Sequence, residues 1–152
     1  METEIKKIIE EFLNKAGFSF KNVSSDVDMN NGTIVFSIES DDSRHLIGKN
    51  GENLFNISYI IKRILDKRFP DGFPKISIDV NNYNKTRIEK IKTIAHMMAE
   101  RARFFKSKVS LDPMNSFERM VVHEYVANHP DLKSESEGFG PTRHVTISHV
   151  KE

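Results

Sequence analysis

The sequence predicts an α+β protein of two small domains, each setting helices against a small sheet. Three observations carry that expectation. Apolar residues recur at helical spacing in several stretches of the chain. Between them lie short segments in which apolar and polar residues alternate, as in strands with one buried face. An asparagine cluster, "NNYN" at 81–84, separates two successive sets of such elements. A length of 152 residues suits two domains of this size.

The first set begins with Ile5, Ile8, Ile9, Phe12 and Leu13, an amphipathic helix that Gly17 can end. "FKNVSSDVDMNNGTIVFSIES" then predicts two strands joined at Asn30-Asn31-Gly32, because Asn-Gly suits the positive-φ turns of hairpins. Asp42 or Ser43 is placed to cap a short helix through Ile47. A longer helix is expected from about Glu52 to Lys67, with Leu54, Ile57, Ile61 and Leu65 on one side. "FPDGFP" ends it, and "KISIDV" alternates as a strand.

The second set opens on the clearest stripe in the chain: Ile88, Ile91, Ala95, Met98, Ala102 and Phe105 share one helical face. "KVSLD" predicts a short strand. Asn115, three residues before Glu118, predicts a capping box for a helix reaching about Asn128, where His129-Pro130 stops it. A loop rich in Ser, Glu and Gly is expected to lead to a last strand, "RHVTISHV", with Val145 and Ile147 alternating with polar neighbours. The domains are expected at 1–81 and 82–152.

Composition narrows the function classes. With 38% hydrophobic and 30% charged residues, the chain has the make-up of a folded domain and not of a disordered one. No segment approaches the ~20 apolar residues that span a bilayer, and the N-terminus lacks the pattern of a secretory signal. There is no cysteine, which excludes disulfides and thiolate sites and fits a cytoplasmic location without membrane insertion. Net charge is +1, but its distribution is uneven. From Ser43 to Lys108 bases outnumber acids, including Arg44, Lys49, Lys62, Arg63, Lys67 and Arg68. Such a basic centre suits either a polyanion partner or a set of solvated helix faces.

Gly48-Lys49-Asn50-Gly51 falls between the short and the long helix of the first set. Glycines allow a tight bend and a close approach of another backbone. The next helix offers unpaired N–H groups and the positive end of its dipole, and Lys49 adds a charge, so the group suits phosphate. The spacing is neither a Walker A loop nor a dinucleotide fingerprint. Alone, a G-x-x-G is equally a helix corner. Set between two helices and followed by a strand, it has the layout with which KH domains clamp about four nucleotides of a single strand. "LIGKNGENL" resembles the KH signature Ile-Gly-x-x-Gly, and the helix and two strands before it resemble the type II arrangement.

Arg119 and His123 lie four apart in "FERMVVHEYV", so their side chains are neighbours on one face. A guanidinium can grip phosphate in a fork, and an imidazole can donate to phosphate or stack on a base. The same pair could instead tie loop carbonyls to the helix. "SESEGFGPTRHVTI" follows, with small residues that would let backbone pass close to that face. "PMNSFERMVVH" and "SESEGFGPTRHVTI" together resemble the R-three-H domain, and with the KH-like half the chain resembles the bacterial Jag (SpoIIIJ-associated) family from about Thr33 to Ser148. "YNKTR" and "ISYIIKRIL" resemble that family too.

The resemblance implies non-catalytic binding of single-stranded RNA, or single-stranded DNA, as a post-transcriptional regulator or RNA chaperone. Gly48, Lys49, Asn50 and Gly51 would hold the backbone, and Arg119, His123, Arg143 and Lys133 would make a second contact. A protein partner in RNA regulation is a further expectation. So is an adaptor role, with RNA secondary, linked to membrane-protein insertion or cell-envelope regulation. Two departures from the family stand out. Relatives often carry an additional N-terminal domain and a charged linker, which are not seen here, and Asn50 stands where many have a second base. No cofactor, metal or catalytic group is expected. His123-Glu124 lacks the second histidine of a zinc protease, since position 127 is Ala127.

Overall fold

A computed structural model describes residues 1–150 and divides the chain into two compact units, Met1–Lys85 and the region from Thr86 onward. The first contains α1 (Glu2–Lys15), β1 (Asn22–Asp28), β2 (Thr33–Glu39), α2 (Ser43–Ile47), α3 (Glu52–Arg68) and β3 (Ile76–Val80). Its sheet has the order β1-β2-β3. The β1–β2 hairpin is antiparallel, with Val23 opposite Ile38, whereas β3 runs parallel to β2, with Ile78 opposite Phe36. A parallel neighbour requires a crossover, and α2, the glycine loop and α3 supply it. Ile5, Ile9 and Leu13 of α1 and Leu54, Ile57, Ile61 and Leu65 of α3 share one core with Val23, Phe36, Ile38 and Ile78 of the sheet. Leu46 of α2 joins the same core, so the glycine loop is strung between two anchored helices.

The unit closes on asparagine and aspartate. Asn81, at φ 48°, accepts from Ser40 N at 3.0 Å and donates to Ser40 O at 2.7 Å, tying the end of β3 to the end of β2. The buried Asp79 carboxylate accepts from the backbone N–H of Asn84 at 2.8 Å and of Lys85 at 3.2 Å, the first turn of the next helix. A carboxylate there satisfies orphan donors and complements the helix dipole.

That helix is α4 (Tyr83–Phe105), and the division between units falls in its first turn. The second unit continues with β4 (Val109–Ser110), α5 (Ser116–Ala127), β5 (Leu132–Glu137) and β6 (His144–His149). Its sheet is antiparallel in the order β4-β6-β5, with Val109 and Ser134 both opposite Ile147. Ile91, Ala95, Ala99 and Ala102 of α4 pack with Val121, Val122 and Val126 of α5 and with Val145 and Ile147 of β6. The capping box is complete: Glu118 N donates to the Asn115 side chain at 3.0 Å, and Asn115 N donates to Glu118 Oε2 at 3.1 Å. Arg103 of α4 grips Asp131 in a fork, 2.6 and 3.0 Å, at the entry to β5. That hydrogen bonding lowers the Asp131 carboxyl to about 2.

Three expectations change. "LKSESE" is a strand and not a loop: Leu132, Ser134 and Ser136 face α5, while Lys133 and Glu135 face away, an alternation of small polar with charged residues that lacks an apolar marker. Phe105 ends α4 exposed and meets Phe104 edge-to-face, because the core stripe has already passed through Ala99 and Ala102. Asp42 precedes α2 without a side-chain capping bond, and its carboxylate pairs with His45 instead.

Phe36→Ala should destabilise the first unit by about 3–5 kcal/mol in urea unfolding, since the ring is fully buried. Phe105→Ala should change stability by no more than about 0.5 kcal/mol in the same measurement.

Candidate functional site

The two clusters singled out in the sequence fall in different units. In the first, Gly48 ends α2 at φ 72°, and Lys49–Gly51 make one 3-10 turn before α3 begins. Asn50 (φ 55°) and Gly51 (φ 78°) are both left-handed, so the chain reverses within two residues. Gly48 is required twice over. Its φ favours glycine, and a Cβ there would lie 2.6 Å from Cγ of Asn53. Asn53 in turn donates to His45 O at 2.8 Å, strapping the first turn of α3 to α2. Gly51 is buried, while Lys49 and Asn50 form an exposed tip. The tip adjoins the first N–H groups of α3, which have no partner within the helix. Glu52, also in that turn, sets a negative charge against the same dipole.

Lys62, Arg63, Lys67 and Arg68 are exposed along α3. So are two residues that the sequence pattern did not single out, Phe55 at 72% and Tyr59 at 61% exposure. They sit four apart, off the Leu54–Ile57–Ile61–Leu65 core stripe, and that displacement was the available signal. A groove of about 550 Å³ between α1 and α3, lined by Glu4, Lys7, Glu11, Lys15 and Arg68, interleaves both charges and includes none of the expected site residues.

In the second unit, α5 brings Arg119 and His123 to an open depression of about 460 Å³ that Arg143, Ser136, Met120 and Glu124 also line. The imidazole is fully engaged: Nδ1 is 2.7 Å from Ser134 Oγ, and Nε2 is 2.8 Å from Ser136 Oγ. A neutral ring, one nitrogen donating and the other accepting, satisfies both hydroxyls. Burial, then Arg119, then Arg143 lower the His123 pKa from 6.5. His123 therefore docks β5 on α5, a role that Ser134 and Ser136 complete and that the loop expectation concealed. Arg119 donates through Nη1 to Met114 O at 2.7 Å and through Nη2 to Ser116 Oγ at 3.1 Å. Arg143 donates through Nη1 to Gly138 O at 2.9 Å. Both guanidiniums are aimed by these bonds and keep other donors of the fork.

Lys133 is not brought to this surface. It points from the opposite face of β5, exposed, with its ammonium 3.1 Å from Glu135. Arg87 is a structural residue: Nη2 donates to Glu118 at 3.1 Å, and the guanidinium lies 5.0 Å from the centre of the Phe117 ring.

The depressed His123 pKa has a signed consequence. The unfolded chain takes up a proton before the folded one, so the contribution is complete above about pH 6.5 and is lost as pH falls through the interval below it. The unfolding midpoint of the parent should therefore fall more steeply from about pH 7 to about pH 5 than that of His123→Gln. Superimposable profiles would assign the titration elsewhere.

Residues 89–149 match the R-three-H domain family. The chain is 34% identical over 116 residues to the RNA-binding protein KhpB of Clostridium symbiosum, covering 76% of this chain and 52% of that protein. It is 32% identical over 122 residues to the RNA-binding protein KhpB of Bacillus subtilis, covering 78% and 58%. The protein of the same name from Streptococcus pneumoniae is 28% identical over 120 residues. The chain thus spans a little over half the length of the first two relatives. Residues 89–149 thus match the R-three-H domain, and some three quarters of the chain is similar to proteins named RNA-binding protein KhpB.

Proposed function

We propose that the chain binds single-stranded RNA and performs no chemistry on it, using a KH domain in residues 1–81 and the R-three-H domain that follows in 82–152. The observation that carries this reading is the tip formed by Lys49 and Asn50. It is exposed, held in a left-handed bend between two anchored helices, and set at the positive end of the α3 dipole. An extended sugar–phosphate backbone can rest there because Gly48 and Gly51 carry no side chains. The order helix, two strands, helix, glycine loop, helix, strand supports the KH assignment.

In the second domain, Arg119 and Arg143 supply the phosphate contacts, and His123 acts through position, by fixing the strand beside them. Lys133 has no part in this contact. RNA is preferred to DNA because the relatives that match over most of this chain are named RNA-binding proteins.

Titration of fluorescently labelled single-stranded RNA tests the proposal. The logarithm of the affinity should fall with the logarithm of salt concentration by about 0.7 per phosphate engaged. Replacing Lys49 and Asn50 together by Asp sets two negative charges against the backbone and should weaken binding by about tenfold or more, with thermal unfolding unchanged. Equal affinity for the double variant would remove the glycine loop from the interface.

A further inference from the structure

The turn between β5 and β6 presents an aromatic ring that the core does not use. Phe139 lies between Gly138 and Gly140 and is 89% exposed. Its main chain is nevertheless tightly held. Thr142 donates to Phe139 O twice, from N at 3.3 Å and from Oγ1 at 2.9 Å. Arg143 N donates to Gly140 O at 3.1 Å, and Pro141 restricts the turn further. Gly138 is packed so closely that a Cβ would lie 3.1 Å from Thr142 O. The carbonyl of Gly138, one peptide before the ring, is the group that Arg143 grips at 2.9 Å. The ring is therefore carried on a stiff support attached directly to one of the two guanidiniums lining the depression. Met120, adjacent to Arg119 on α5, adds an exposed apolar side chain at the same depression.

Two guanidiniums and an exposed ring on an ordered turn match the two halves of a nucleotide. The cations suit its phosphate, and the ring offers a face for its base. We infer that Phe139 stacks on a base of the strand whose backbone is held at Arg119 and Arg143. This rests on the proposed binding of single-stranded RNA and adds to it a base contact that tolerates any sequence. The hydrogen bonds of the turn have already ordered its main chain, so only the side chain of Phe139 has to be immobilised in making the contact.

The chain has no tryptophan, so Phe139→Trp introduces a single reporter in the turn that Arg143 grips. Full-length Phe139→Trp is titrated with a single-stranded oligoadenylate of about 12 nucleotides and with an abasic oligomer of the same length. Affinity for oligoadenylate should equal or exceed that of the parent, with tryptophan emission quenched on binding; the abasic strand should bind without quenching. Phe139→Ala should bind oligoadenylate about 5- to 150-fold more weakly, the range found for removing one base–aromatic stack. It should match the parent on the abasic strand and unfold at the same temperature. If the parent binds oligoadenylate while Phe139→Ala binds it equally well and the tryptophan is not quenched, the stacking inference is overturned and RNA binding stands. If the parent binds neither oligoadenylate nor any other single strand, both readings fall.

Discussion

At Gly48 and at Gly138 the main chain lies where an added Cβ would meet its neighbours at 2.6 and 3.1 Å, and each candidate site is built on one of these approaches. In the first unit the approach lets Asn53 bridge from α3 to the last turn of α2, which holds the bend at Lys49 and Asn50. In the second it lets the turn after β5 fold back on Arg143, which aims the guanidinium. Both positions also need positive φ, 72° and 87°, so glycine answers a conformational and a steric demand together. The cores serve these bends. Leu46 and Leu54 fix the chain on either side of the first, and Val145 fixes the strand that leaves the second.

Much of this was legible in the sequence because strong periodic signals coincided with local chemistry. The stripes of α1 and α3 predicted their buried faces, and Asn115 with Glu118 predicted a capping box that is present in full. The glycine loop was legible from its spacing between two helices. The second unit was harder to read. Strand β5 consists mostly of serine, glutamate and lysine, residues whose strand conformation comes from pairing with β6 and from hydroxyls that reach His123. Tertiary context of that kind leaves no apolar period behind. For the same reason the sequence points the histidine at RNA, since the serines that occupy it lie in a segment that reads as a loop. Asp79 likewise reads only as a polar position in an alternating strand, although its carboxylate holds the first turn of α4.

The two sites differ in how their charge is presented. Lys49 is a compact charge on a flexible stem, exposed at the tip of a rigid bend, and the backbone around it supplies the shape. Arg119 and Arg143 are held by Met114, Ser116 and Gly138, so their planes are set before any ligand arrives. A flexible ammonium follows a backbone of variable path, whereas fixed forks favour one approach direction. His123 belongs with the second arrangement: close to both guanidiniums and partly desolvated, its neutral form suits the site better than a third cation.

The composition that hides β5 from sequence inspection has a use of its own. In the order β4-β6-β5 it is an outer strand, with one line of backbone donors and acceptors unclaimed by the sheet. Lys133 and Glu135 project from that rim. Asp26 and Asp28 stand on β1, likewise at the border of its sheet. Rims studded with charge resist zippering onto a neighbouring molecule. A valine-rich rewrite of "KSESE" would make an easier strand to recognise and a stickier protein, poorly suited to remaining dispersed in solution.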